Sequence, residues 1–334
     1  MNAALETLLL SFSGEDGITV PARALFLGAE PHPALPEWPD LTGWQPFKPR
    51  AVAWDQAGLR RVDEPAGTYP LVLVLPGKSK DETLAWFALA RDHLAPGGRL
   101  LAAMPNTAGA GRFEKELARA CGKVNSIQKH KSRAFHAVAD GTWHEEIFAE
   151  WRALGGRRAV PNTKFVVEPG IFSVTQVDPG SALLAAQLPG GLRGAVADLG
   201  AGWGYLSDAV LRRSPQVTRI DLFEADARAL ACARDNLAEH DRELGFHWHD
   251  VCAGVPGGYD AVVMNPPFHA GQASDVDLGR AFVVAAAGAL KRGGRLFMVA
   301  NRQLPYEAVL DNCRLTWRVA GGDSIYKLLF AERR

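Results

Sequence analysis

The hydrophobic positions of this chain follow two alternating rhythms. Short, nearly unbroken apolar runs give way to segments in which apolar residues recur every three or four positions. The first rhythm predicts buried strands and the second amphipathic helices. In the C-terminal half, Gly194 to Leu199 is an apolar run ending in a glycine cluster, and Tyr205 to Arg213 then reads as a helix. Arg219 to Phe223 reads as a strand, Ala227 to His240 as a helix and Gly245 to His249 as a short strand. Tyr259 to Met264 is a strand ending at Asn265, Asp277 to Leu290 is a helix, and Arg295 to Ala300 is a strand after a Gly293-Gly294 turn. Strands alternating with helices imply a mostly parallel sheet covered on both faces.

The N-terminal half repeats this layout more faintly. Ala24-Leu25-Phe26-Leu27-Gly28-Ala29 echoes Val196-Ala197-Asp198-Leu199-Gly200-Ala201. Tyr69 to Pro76 echoes Tyr259 to Pro266, and Leu94 to Leu100 echoes Leu290 to Leu296. Three matches in the same order favour duplication over chance. The N-terminal copy lacks the later glycines of its first loop, and Leu75-Pro76-Gly77-Lys78 stands where the other copy has Asn265-Pro266-Pro267-Phe268. The expected fold is therefore α/β, with two tandem Rossmann-like domains of mostly parallel, doubly wound sheet and a degenerate N-terminal copy. Their spans are taken as 1–155 and 164–334, joined by a linker over Ala153 to Thr163, rich in glycine, arginine and proline.

Composition adds limits. A chain of 334 residues, 47% apolar, can fill two ordinary cores. The 37 basic and 37 acidic residues cancel, so a nucleic-acid surface has to be a local patch. Cys121, Cys232, Cys252 and Cys313 lie far apart, with no CxxC pair, and read as reduced thiols. The segment Met1 to Phe12 lacks a basic start and does not read as a signal peptide, and Ala281 to Leu290 is too short an apolar run to span a bilayer. A cytoplasmic protein without membrane contact is expected.

Asp198-Leu199-Gly200-Ala201-Gly202-Trp203-Gly204 follows a strand and opens a helix. Glycines serve where backbone turns sharply and lies against a ligand, and this loop would sit at the carboxyl end of the first strand, where such sheets bind ligands. The third glycine falls one place earlier than in the dinucleotide fingerprint, which argues against a nicotinamide oxidoreductase. The G-x-G-x-G spacing after an acid resembles motif I of S-adenosylmethionine-dependent methyltransferases. Asp198, Gly200, Ala201 and Gly202 then become candidate cofactor contacts, with Asp198 facing the methionine end. Glu224 ends the second strand and could accept from both ribose hydroxyls, while Asp250 follows the third strand and could accept from the adenine amine. Asp226 reads as the cap of the next helix. The bulky Trp203 is expected to alter the shape of the cofactor pocket. His247 and His249 form an H-x-H pair, but nothing around them has ligand spacing, so no metal is expected.

Asn265-Pro266-Pro267-Phe268 is the most specific signal. Two prolines fix two backbone dihedrals and remove two N–H donors. The rigid turn left behind presents the Asn265 side-chain oxygen and the Pro266 carbonyl as acceptors. An exocyclic amine on a flat ring needs this arrangement, because its lone pair is delocalised and two acceptors on its hydrogens would turn that pair towards a methyl donor. Asn265 also lies within reach of the cofactor, and Phe268 offers a face for a base to stack on. The competing reading is a proline-terminated strand with Phe268 in the core.

The motif I segment through Leu206-Ser207, Asn265-Pro266-Pro267-Phe268-His269 and Val299 to Tyr306 together resemble the ribosomal RNA small-subunit guanine-N2 methyltransferases, the RsmC type. Pro169-Gly170-Ile171-Phe172-Ser173 with Asp178-Pro179-Gly180-Ser181 is similar to the element preceding motif I in that family. The resemblance covers almost the whole chain, since the family also carries a degenerate N-terminal methyltransferase-like domain. It implies methyl transfer from S-adenosylmethionine to N2 of a guanine in 16S rRNA, with catalytic contacts at Asn265, Pro266 and Phe268. It further implies that Phe172, Ser173, Asp178 and Ser181 close over cofactor or base, unless they merely cap and pack the next helix. Ribosomal RNA or the small ribosomal subunit would be the partner, met by a monomer.

For RNA contact, the densest basic stretch runs from Arg112 to Arg133 and includes Lys129, Lys131 and Arg133. It reads as an amphipathic helix followed by a basic loop. Arg302 could reach the substrate backbone and His269 the base. The alternatives are methylation of large-subunit rRNA, of adenine N6 or of a protein glutamine, and, outside enzymes, an RNA-binding assembly factor on the same scaffold.

Overall fold

The computed structural model describes residues 2–15, 17–267 and 273–334, without the side chains of 273–275. Phe268 and His269 lie outside the described residues. The chain folds as two units, 1–157 and 158–334.

The first unit contains α1 (Ala3–Leu9), β1 (Ala24–Leu27), β2 (Leu41–Trp44), α2 (Lys48–Gln56), β3 (Arg60–Val62), β4 (Tyr69–Val74) and α3 (Lys80–Asp92). It continues with β5 (Leu94–Pro105), α4 (Ala110–Cys121), β6 (Asn125–Lys129), β7 (Ser132–Val138) and α5 (Glu145–Leu154). The second unit contains β8 (Arg158–Ala159), β9 (Val166–Val167), α6 (Pro179–Gln187), β10 (Arg193–Leu199), α7 (Tyr205–Arg213), β11 (Gln216–Glu224), α8 (Ala227–Asn236) and β12 (Glu243–Trp248). It ends with β13 (Tyr259–Met264), α9 (Ala273–Ala289), β14 (Leu290–Asn301), α10 (Glu307–Asn312), β15 (Leu315–Gly322) and β16 (Tyr326–Arg333).

Each unit is built on a seven-stranded sheet, and the two orders match: β3-β2-β1-β4-β5-β7-β6 and β12-β11-β10-β13-β14-β16-β15. The register matches as well. Leu27 pairs with Val74 as Leu199 pairs with Met264. The pairing jumps from Tyr69–Leu94 to Leu71–Arg99, as it jumps from Tyr259–Leu290 to Ala261–Arg295. The expected glycine-pair turn is therefore an outward loop inside a longer strand.

Alternate residues of the central strands feed cores on opposite faces, which is why these strands read as continuous apolar runs. In the second unit, Leu199, Val262, Met264 and Met298 pack with Phe282, Val283 and Leu310, while Val196, Val263 and Val299 pack with Leu184, Val210 and Leu230. The two last strands of each sheet are antiparallel and were not expected. Their half-exposed faces break the apolar runs that mark the parallel strands.

The expected linker is structured. Ala153 and Leu154 finish α5, and Arg158–Ala159 pairs with Val166–Val167. That small hairpin contributes to a satellite core of Val160, Phe165, Val167, Ile171, Trp203, Ala229 and Cys232. The basic loop expected after α4 is instead the β6–β7 hairpin, with His130 and Lys131 at positive φ in its turn. No helix among the described residues is long and apolar enough to cross a membrane.

Candidate active site

The glycine loop leaves β10 at its carboxyl end. Gly200 has φ +70°, and a side chain there would come within 3.1 Å of Phe282, so both backbone and space require glycine. At Gly202, φ is +55° and a Cβ would meet nothing within 4 Å, which leaves open space beside the loop. The Gly200 and Ala201 N–H groups both donate to Phe223 O at the end of β11. This seats the loop against the second strand and brings Glu224 to it. Glu224 Oε2 accepts from Gly202 N at 2.7 Å, and Oε1 accepts from Asp226 N at 2.8 Å. Burial pushes the Glu224 carboxyl above its ordinary value, against the pull of those backbone donors.

Asp198, fully buried, accepts from the Ser207 hydroxyl at 2.7 Å through Oδ2. Its Oδ1 is buried without a hydrogen-bond partner. Burial, with the Glu224 carboxylate adding to it, pushes its pKa up to about 7. The unpartnered Asp198 Oδ1 is suited to a cationic donor such as an ammonium, while Glu224 keeps both oxygens on backbone N–H groups. Asp250 caps a short turn by accepting from Cys252 N at 2.9 Å. Asp226 caps α8 by accepting from Arg228 N.

Asn265 follows β13, next to β10 in the sheet. Its Nδ2 donates to Asp178 Oδ2 and Ser181 Oγ, each at 2.8 Å. Its Oδ1 is buried and has no partner. Pro266 is buried and Pro267 exposed. Asp178 also caps α6, its Oδ2 accepting from Ser181 N at 2.8 Å. The capping expected of Asp178 as one alternative is present, and both residues also hold the Asn265 side chain. Sequence reasoning missed that both residues act on Asn265; the only local signal was the Asp-Pro-Gly-Ser cap.

Phe172 is 59% exposed, and its carbonyl accepts from Trp203 Nε1 at 3.1 Å. Trp203 itself is buried in the satellite core against Phe165. It therefore anchors the 160–177 segment to the glycine loop. Ser173 adopts φ +60° and donates to Gln176 O.

Arg302 is committed to a turn: its Nε donates to Asp323 O and its Nη2 to Tyr326 O, between β15 and β16. Arg133 pairs with Glu114 and also donates to Gln128, so its charge is neutralised locally. Lys129 and Lys131 are exposed at the tip of the β6–β7 hairpin. His247 is bonded to Asp221 and stacked on Phe223, and His249 contacts Gly254 O, so both have structural partners. Asp208, Glu239 and His240 form an acid–histidine cluster, but Lys164 and Arg212 each pair with both of its carboxylates.

A family model described as the methyltransferase small domain matches residues 162–329. The ribosomal RNA small subunit methyltransferase C of Psychromonas ingrahamii is 30% identical over 245 residues, covering 72% of this chain and 70% of that protein. The protein of the same description from Shewanella amazonensis is 32% identical over 271 residues, covering 80% of this chain and 78% of that one. Among solved structures, the T. thermophilus 16S rRNA N2 G1207 methyltransferase (RsmC) in complex with AdoMet and guanosine matches with a TM-score of 0.81 at 25% identity. That match covers 100% of this chain and 92% of that chain.

Proposed function

The chain belongs to the ribosomal RNA small subunit methyltransferase C family, and from that premise we propose which of its residues carry the reaction. The protein is an S-adenosylmethionine-dependent enzyme that methylates N2 of a guanine in 16S rRNA. One observation carries the assignment of residues. In the second unit, Asp198 Oδ1 and Asn265 Oδ1 are buried oxygens without partners, and they stand at the ends of neighbouring strands. An unpaired buried acceptor costs about 1–3 kcal/mol, so each is best explained by a ligand donor.

Asp198, Glu224, Asp250 and the backbone of Gly200, Ala201 and Gly202 hold the cofactor. Bound S-adenosylmethionine supplies a methyl group already activated on sulfur. The work of the protein is then to aim the guanine amine. Asn265 Oδ1 and the Pro266 carbonyl accept its two hydrogens, which frees the nitrogen lone pair to point at the methyl. The nitrogen–methyl bond would form as the sulfur–methyl bond breaks with its electrons left on sulfur, and the nitrogen would then release its extra proton to solvent. While it is cationic both hydrogen bonds strengthen, so they stabilise the transition state more than the ground state. Phe172, exposed beside the loop, offers a surface for the base to stack on, the role the sequence motif suggests for Phe268. Lys129 and Lys131 are the proposed phosphate contacts of the first unit. Arg133 and Arg302 already have partners and are weaker candidates. One chain supplies every proposed catalytic group, which supports a monomer, and an rRNA substrate supports a cytoplasmic location.

The test is Asn265→Ala. Methyl incorporation into unmodified small subunits should fall by about 10²–10³-fold, while calorimetric AdoMet affinity stays within about twofold. Full activity in this variant would remove Asn265 from the site.

A further inference from the structure

We propose that Asp178 and Ser181 are positioning residues for methyl transfer, fixing which end of the Asn265 carboxamide faces the base. The inference rests on the reading of Asn265 as the acceptor for the guanine amine. A carboxamide is nearly symmetric in shape and can be turned over at little steric cost. One end accepts hydrogen bonds and the other donates them. An Asn265 turned over would present N–H groups, which suit a ring carbonyl such as guanine O6 and repel the amine.

Asp178 and Ser181 remove that choice. Asp178 Oδ2 and Ser181 Oγ lie 2.8 Å from Asn265 Nδ2 and use both of its hydrogens. A carboxylate has no hydrogen to give, so turning the amide over would set two acceptors 2.8 Å apart. Oδ1 is thereby forced to the far side, where it is buried and has no partner. The two anchors lie 87 and 84 residues from Asn265 along the chain, on the first turn of α6. That turn is itself fixed: Asp178 accepts from Ser181 N, and a Cβ at Gly180 would lie 3.0 Å from the Tyr326 ring. A carboxylate on the Nδ2 end also draws amide electrons towards Oδ1, because linked hydrogen bonds polarise one another. The acceptor then carries more negative charge where positive charge develops on the target nitrogen. Asp178 and Ser181 therefore act through Asn265 on both the choice of edge and the rate.

The experiment is a charge exchange, read as kcat, KM for unmodified small subunits and AdoMet affinity. Asp178→Asn keeps the helix cap, since asparagine caps as well as aspartate, but removes the charge. It should lower kcat by about tenfold with KM and AdoMet affinity unchanged, the signature of an interaction strongest in the transition state. Ser181→Ala should lower kcat by a smaller factor, of about threefold to fivefold, because a neutral partner is lost. Asn265→Asp sets two carboxylates against each other and should lower kcat by about a hundredfold, the scale of a misplaced reacting group. Adding Asp178→Asn to Asn265→Asp restores a donor facing an acceptor and should recover at least about tenfold, the coupling expected of groups that touch. A double variant no faster than Asn265→Asp would overturn the proposal. So would Asp178→Asn with kcat within twofold of the unaltered enzyme, or with AdoMet binding lost, since the residue would then act on the cofactor. Full activity in Asn265→Ala would instead bring down the base-site reading on which this one stands.

Discussion

The two units share strand order and register, yet where the second has the buried, unpartnered oxygens of Asp198 and Asn265 the first has apolar side chains. Gly28 and Ala29 donate to Trp44 O as Gly200 and Ala201 donate to Phe223 O, which aligns the two loops residue for residue. From that alignment the differences can be read off. Where the second unit has Asp198 with an unpartnered oxygen, the first has Phe26, fully buried beside Trp54. In place of Asn265 it has Leu75, also buried. Glu224 is replaced by Gln45, whose Nε2 donates to Ala29 O at 2.9 Å and ties down the loop. Gly202 is replaced by Glu30, bonded to Asn2 and paired with Arg50. Both copies keep the fold, because the fold depends on apolar strands and a few turns. Only one keeps the chemistry, because a binding site needs polar atoms left ready for a ligand, and those destabilise the protein alone.

This contrast can be broken by moving residues from one copy to the other. The largest effect is expected from Asn265→Leu, which copies Leu75. Methylation should fall by about two to three orders of magnitude, with the melting temperature little changed, because the loss of a buried unpaired oxygen offsets the loss of the bonds to Asp178 and Ser181. A marked fall in melting temperature would show that Asn265 serves the fold as well. Glu224→Gln copies Gln45 and should weaken AdoMet binding by about ten- to a hundredfold, since a charge-assisted hydrogen bond is exchanged for a neutral one. Unchanged affinity by calorimetry would free Glu224 of its ribose role.

A smaller effect concerns pH. The Asp198 carboxyl is raised to about 7 in the folded protein, so between the unfolded value and about 7 the folded state holds more protons than the unfolded one. Stability from this group is therefore full at acid pH and is lost as pH rises towards and through 7. The loss amounts to a few kcal/mol at most, on the order of 1.4 kcal/mol for each tenfold difference in proton affinity between the two states. A cationic cofactor favours the ionised form, so its affinity should rise over the same window. Asp198→Asn should flatten both profiles relative to the unaltered enzyme; slopes that persist in the variant would assign them to other groups. The smallest effect belongs to the first unit. Reversing Lys129 and Lys131 to Glu should reduce the slope of log affinity for rRNA against log salt by about 0.7–0.9 for each phosphate no longer neutralised. An unchanged slope would leave that hairpin a solvated edge.

Much of this was legible along the chain. The parallel strands, the duplication and the glycine loop are local patterns, because backbone dihedrals and burial on both faces leave their mark on neighbouring residues. The antiparallel hairpins β6–β7 and β15–β16 escaped, since half-exposed strands such as Asn125–Lys129 show no apolar run. The site divided in the same way. Asn265, Glu224 and Asp198 were singled out as candidates from their places at strand ends, whereas the partners that orient or neutralise side chains were not.

The sequence by itself determined the parallel strands and the crossover helices of the second unit, that the layout is written twice, and which copy keeps an acid, a glycine loop and an Asn-Pro-Pro turn. Only the tertiary structure decided that Trp203 turns into a satellite core, that Arg302 holds the turn before β16, that Glu114 neutralises Arg133, and that Asp178 and Ser181 face Asn265. The physical reason is distance along the chain. Periodicity and turn chemistry act between near neighbours, but the direction of a hydrogen bond and the fate of a charge depend on side chains that folding brings from 84 or 87 residues away.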